Sequence, residues 1–243
     1  VLAFPAEALL RFFKNHGLLS IKNRPTWQTV VGGSHSYVQA FAKTFKGTVR
    51  YPYPIQSIRR TDAAIIVTPT TDSPETFDNV VIATHADQAL ALLADPSPEE
   101  QRLLGPWQYQ DNRVVLHTDA SVLPPKRRAW ASWNYAREDS GEAAVPVPVS
   151  VTYDMNRLQG LQTQAQYCVS LNRQGEIPTD AIVRDLRYQH PTYTFESMGT
   201  QGELSTLNGP RHTYFCGSYF GYGFHEDAVR SAVQVGQALG LDL

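Results

Sequence analysis

The sequence lacks most of the spacings from which chemistry is usually read. Two cysteines in 243 residues, Cys168 and Cys216, are too few for a disulfide framework, and a reducing, cytoplasmic setting is the simpler expectation. There is no C-x-x-C, and no two of the seven histidines stand four apart. His225-Glu226 lacks the second histidine of H-E-x-x-H, so no metal site is expected. G-x-S-x-G is also absent, which removes the serine hydrolase signature. A formal net charge of -2 gives no broad attraction to nucleic acid or to an anionic membrane. No apolar run approaches the roughly 20 residues of a bilayer span. The opening VLAFPAEALLRFF carries Arg11 inside its apolar stretch and has no basic leader, so it does not read as a signal peptide. Finally, no G-x-G-x-x-G occurs: GSYFGYGF has the wrong spacing, and Gly32-Gly33 is a different element.

What is present suits a soluble globular protein, with 42% hydrophobic and 18% charged residues in a chain long enough for one large domain or two small ones. PAEALLRFFKNHG predicts a helix opened by Pro5 and closed by Gly17, and a second short helix is expected over Ser36–Phe45. TVRYPYPIQSIRR, AAIIVTP and FDNVVIAT are rich in β-branched residues and read as three strands. ADQALALLAD reads as a helix. DPSPEEQRLLG follows with the clearest helix signal: Ser97 as N-cap, Pro98 next, Glu100 three residues past the cap, and Gly105 at the end. RVVLHTD, RAWASWNYA, PVPVSVTYDM and AQYCVSLN read as strands, with a helical piece near Asn156–Gly160 and an exposed loop over EDSGEAAVPVP. FESMGTQGELSTLNG is weakly helical. TYFCG is a short strand, and a last helix runs from about His225 to Leu239. Interleaved strands and helices give an α/β or α+β class with a mixed sheet.

The terminal stretch FCGSYFGYGFHEDAVRSAVQVGQALG joins a strand, a glycine-rich aromatic turn and a helix. Glycines let a backbone turn sharply and let a ligand come close. The first turn of a helix presents unpaired N–H groups at its positive end, a setting for an electron-rich group. The plainer alternative is a corner whose Glu226 and Asp227 only complement the helix dipole.

NRPTWQTVVGGSHSYV, VVIATHADQALALL, NRVVLHTD, WASWNY, YQHPTY and FCGSYFGYGFHEDAVRSA together resemble the flavin-containing amine oxidase superfamily, and more closely a bacterial subgroup of NAD/FAD-binding, amine-oxidase-like proteins. The resemblance runs over nearly the whole chain. It implies FAD as cofactor, a small-molecule substrate and a truncated FAD/NAD(P)-binding flavoenzyme fold with a mixed-sheet substrate domain. It places Ile55 beside the adenine, Ala83 and Thr84 near the nucleotide, and Gly217 and Ser218 near the pyrophosphate and ribityl chain. Gly223, Phe224, His225 and Glu226 then stand at the flavin pyrimidine edge. Many relatives carry an acidic residue where Ser218 stands. The implied division is residues 1–47 (substrate-domain helices and the double-glycine loop), 48–95 (returning FAD-domain strands and helix), 96–208 (substrate domain) and 209–243 (FAD-binding strand, turn and helix).

Trp133 and Tyr135 alternate on one strand face and, with His190, are the candidate substrate wall; strands packed with aromatics, and a strand stopped by Pro191, are the alternatives. His117 and Tyr135 are the candidate catalytic groups. The missing glycine fingerprint makes the chain look like the C-terminal part of a longer enzyme, with an N-terminal Rossmann segment as the implied partner. The reading is a flavin-dependent oxidoreductase moving hydride from an amine or an unsaturated apolar substrate to flavin; the alternative is a non-catalytic binding domain that keeps the scaffold.

Overall fold

The computed structural model describes residues 5–20, 22, 26, 28–137, 149–173 and 175–241. The loop expected over 138–148 and most of NRPTW lie outside the described residues. In chain order the elements are α1 (Ala6–Asn15), α2 (His35–Thr44), β1 (Ile55–Arg60), β2 (Ile65–Pro69), β3 (Glu75–Phe77), β4 (Val80–Ile82), α3 (Ala86–Leu92), α4 (Pro98–Leu104), β5 (Gln108–His117), β6 (Trp133–Arg137), β7 (Val149–Asp154), α5 (Met155–Gln159), β8 (Cys168–Leu171), β9 (Ile182–Thr192), α6 (Phe195–Gln201), β10 (Thr213–Phe215) and α7 (His225–Ala238). No helix among the described residues is long and apolar enough to cross a membrane.

The chain forms two compact units. The first draws on residues 1–25, 48–110 and 191–243, the second on 26–47 and 111–190. In the first, β1, β2 and β3 make an antiparallel sheet, while β4 and β10 pair in parallel. Ile58, Ile65, Ile82, Leu103, Leu104, Trp107, Phe215 and Tyr219 belong to one buried apolar cluster beneath them. FDNVVIAT is therefore two strands rather than one: its first half closes the antiparallel sheet, and its second half turns at Asp78-Asn79 to lie beside the chain's C-terminal strand. The strand expected from Thr48 begins only at Ile55.

At α4 the expected cap is present. Ser97 Oγ accepts from the Glu100 amide at 3.1 Å, and Glu100 Oε2 accepts from the Ser97 amide at 2.7 Å. The same carboxylate also takes both guanidinium ends of Arg60, at 2.6 and 2.8 Å, from an arginine only 4% exposed. Arg60 also donates from Nε to Asp95 at 2.9 Å. A buried cation is tolerable only when paired this completely.

The second unit is built on a five-stranded sheet of order β6-β7-β8-β5-β9. The pairings of β6, β7, β8 and β5 in this row are antiparallel. Its edge strand β9 is eleven residues long and runs through Pro191, which therefore does not stop it. Five of the nine residues from Ile182 to His190 (Arg184, Asp185, Arg187, Gln189 and His190) are charged or polar, and the middle of the strand is exposed. An edge strand tolerates both the charges and the proline, because one side of its backbone makes no ladder bonds.

Candidate active site

In the first unit, β4 and β10 end side by side, and each leads into a helix. Between those ends lies a cavity of about 480 Å³ lined by Ala83, Thr84, His85 and Gln88 on one side and by Gly217, Ser218, Tyr219, Gly223, Phe224, His225 and Ala228 on the other. Open sheets bind ligands at such carboxyl ends because chain reversal there leaves a crevice facing helix starts.

The turn that forms one wall is held by two buried side chains of α7. Asp227, 5% exposed, accepts from the amides of Tyr222 at 2.9 Å and Phe224 at 3.1 Å and from Arg230 at 2.6 Å. A Cβ on Gly221 would overlap that carboxylate, so only glycine lets the turn fold over it. Gly223 has φ +89°, which again favours glycine. Ser231 Oγ accepts from the Gly217 amide at 2.9 Å and donates to Ala228 O at 2.7 Å, joining the turn to the helix.

These bonds decide which amides are left. Those of Gly217, Tyr222 and Phe224 are taken by the chain's own side chains. Those of Ser218, Tyr219, His225 and Glu226 have no hydrogen-bond partner among the described residues, nor has the Ser218 hydroxyl. The positive end of a 14-residue helix stands behind two of them, roughly half an elementary charge. The cavity thus presents N–H and O–H donors to an electron-rich group.

Seven of the nine residues expected at the cofactor meet in this one cavity: Ala83, Thr84, Gly217, Ser218, Gly223, Phe224 and His225. Ile55 and Glu226 are not among its lining residues; Ile55 sits in β1, packed against the apolar cluster. Four lining residues escaped the sequence reading: His85, Gln88, Tyr219 and Ala228. His85 and Gln88 follow directly on Thr84, in the first turn after β4, and that adjacency was the available signal.

A second cavity in the same unit, about 250 Å³, is lined by Ala8, Leu9, Phe12, Tyr193, Met198, Gln201 and Tyr222. Its lining is apolar and aromatic, with no carboxylate. Phe12 stacks on Phe224 with centroids 6.0 Å apart, and Arg11 donates to the Tyr222 hydroxyl at 3.2 Å. Tyr193 donates to Gly221 O at 3.2 Å, and burial pushes its phenol pKa up.

The remaining candidates lie in the second unit. The sheet register puts His117, with Cys168, Ser170, Thr152 and Asn134, on one face, and Trp133 and Tyr135 on the other. His117 is fully enclosed, with Nε2 2.9 Å from Ser170 Oγ, which lies 2.8 Å from Thr152 Oγ1. Burial, the largest influence, lowers the His117 pKa. Tyr135 is 68% exposed. The two expected catalytic groups therefore face opposite sides of the sheet; strand alternation, unread for this pair, is the reason. The His190 ring bonds the Asn112 side chain at 2.8 Å. Both cysteines are buried thiols, and burial pushes Cys168 up to about 12, so neither is a nucleophile at neutral pH. Among the described residues no cluster of three His, Cys, Asp or Glu side chains could hold a metal.

Comparison with known proteins bears on this geometry. The chain shares its fold with a CLA-producing fatty acid isomerase from P. acnes (12% identity, TM-score 0.58), covering 87% of this chain and 52% of that one. It is similar too to a reduced UDP-galactopyranose mutase (14%, TM-score 0.57, 87% and 52%) and to a putrescine oxidase bound to putrescine (12%, TM-score 0.58, 87% and 54%). It thus spans little more than half the length of these structures. None of the curated proteins matches the sequence. The family model for flavin-containing amine oxidoreductases, however, matches residues 3–239, nearly end to end, and the chain belongs to that family.

Proposed function

We propose that the chain is the C-terminal part of an FAD-dependent oxidoreductase that takes hydride from a C–H bond of an amine or an unsaturated apolar substrate. The observation that carries this is the cavity at the ends of β4 and β10, with free donors from Ser218, Tyr219 and His225. Those donors, the close-packed glycine turn and the helix dipole fit the electron-rich parts of a flavin dinucleotide. On this reading Ala83, Thr84, Gly217 and Ser218 hold the nucleotide side, and Gly223, Phe224 and His225 the ring side; Ile55 and Glu226 support them from outside the cavity. FAD, when bound, supplies the hydride acceptor. The chain's part is to orient it, to stabilise charge at one ring edge and to exclude water. An N-terminal segment with the glycine fingerprint completes the pyrophosphate site, in a cytoplasmic bacterial protein.

The apolar cavity beside Tyr222 and Phe224 favours a substrate whose reacting part is uncharged. Trp133, Tyr135 and His190 stay candidates for the substrate wall, Tyr135 through its exposed ring. Tyr135 is also the surviving candidate acid or base, since His117 is enclosed and engaged. A non-catalytic domain that keeps the scaffold is the second reading.

Titrating the purified chain with FAD and following flavin fluorescence separates them. Saturable quenching, lost when Gly223→Val blocks the turn, is the expected result. No saturable change in the parent chain would move the test to a longer chain that carries the glycine fingerprint, where absence of bound flavin would overturn the reading.

A further inference from the structure

His85 falls within VVIATHADQALALL, yet the resemblance gives it no role; it stands just beyond β4 as the residue before α3 and lines the cavity. Its ring lies parallel to Tyr109, with centroids 4.2 Å apart and planes 9° apart. Tyr109 is itself fixed, because its hydroxyl accepts from the Ala86 amide at 3.0 Å. Burial raises the Tyr109 pKa to about 12, so that hydroxyl is neutral. The imidazole is thus held in one plane by a partner that is locked in turn.

The two ring nitrogens differ. Nδ1 is enclosed and has no hydrogen-bond partner among the described residues. A proton there would be a buried donor without an acceptor, a rarer defect than a bare lone pair. The neutral ring therefore carries its proton on Nε2. His85 is among the residues lining the cavity, and its Nε2, unlike Nδ1, is not an enclosed unpaired atom, so the ring has an N–H to offer opposite the Ser218 and His225 donors of the other wall. Donors that converge from both walls suit an anionic oxygen.

We propose that His85 is a further ligand-contacting residue of this cavity, donating from Nε2 to a phosphate oxygen of the bound dinucleotide. This rests on the flavin reading. The ring is positioned by its stack and needs no rearrangement to receive the ligand.

Imidazole nitrogen–proton correlation spectra of the whole chain test it, with FAD and, separately, inorganic pyrophosphate as probes. The expected free-state signature is a protonated Nε2 and a bare Nδ1. Both probes should shift the His85 Nε2 resonance along with the Ser218 and His225 amides. His85→Phe keeps the stack and removes the donor; it should leave the melting temperature nearly unchanged and weaken FAD binding about tenfold or more. His85→Gln, which restores a donor, should recover part of that loss. A stationary His85 resonance with moving Ser218 and His225 amides, or full affinity in His85→Phe, would overturn the assignment and leave the flavin reading standing. Silence of all three residues with both probes, repeated with the N-terminal fingerprint segment present, would overturn the two together.

Discussion

The two units differ in the balance of surface they bury. In the first, Ile58, Ile65, Leu103, Leu104, Trp107 and Phe215 are nearly inaccessible, and the buried charges of Arg60 and Glu100 are fully paired. In the second, the covered face of the sheet mixes Val115 and Cys168 with many buried polar groups: Asn134, Ser150, Thr152, Asp154, Ser170 and His117. On the other face Val114 is buried, Val151, Tyr153, Val169 and Leu171 are only half-buried, and Tyr135 is open. The first unit thus follows the ordinary rule that apolar surface drives burial. The second leans more on buried hydrogen bonds, and each unpaired buried group, such as His117 Nδ1, carries a desolvation penalty.

That difference can be tested. Arg60→Ala should have the largest effect, about 3–5 kcal/mol, because it leaves Glu100 without its buried partner. Urea unfolding measures it, and hydrogen exchange should show the loss concentrated in the first unit. Ser170→Ala comes next, at about 1–3 kcal/mol, since it strips a partner from both His117 and Thr152. An unchanged midpoint in that variant would mean that the polar face is not what holds the second sheet.

The acid side gives a smaller effect. Burial lowers the His117 pKa, so the unfolded chain takes a proton near pH 6.5 while the folded chain resists until lower pH. The stability linked to this group is complete above about pH 6.5 and is lost as pH falls below it. Comparing unfolding at pH 7.5 and 5.5 in the parent and in His117→Asn should show a shallower decline in the variant. Tyr135→Ala should be nearly silent, within about 0.5 kcal/mol, because its ring is exposed. A large loss there would show that the open face is covered in the folded protein.

How legible each part was depended on distance along the chain. Ser97-Pro98-x-Glu100 read as a helix start because every partner of that cap lies within four residues. Arg60 did not read as its buried counterion, since forty residues separate it from Glu100. FDNVVIAT looked like one strand because its composition is uniform, and only its two different neighbours divide it. The strand over Ile182–Thr192 read only as a strand stopped by Pro191, and its full length was hidden because charges and a proline mask a sheet edge. At the site, Gly217, Ser218 and Gly223–His225 were visible as a glycine turn before a helix, and His85 was not, because its role comes from a stacked Tyr109 in another element.

The sequence by itself determined the local elements, the glycine-rich entry into the last helix and, through a pattern running nearly end to end, the flavin-containing family. Periodicity, caps and turns act over a few residues and can be read there. Only the tertiary structure decided that β4 and β10 end side by side, that Asp227 and Ser231 consume some of the turn's amides while others stay free, and that His117 and Tyr135 lie on opposite faces. Those outcomes depend on which distant segments pair and in what register, and a one-residue shift in register reverses the facing of every side chain on a strand.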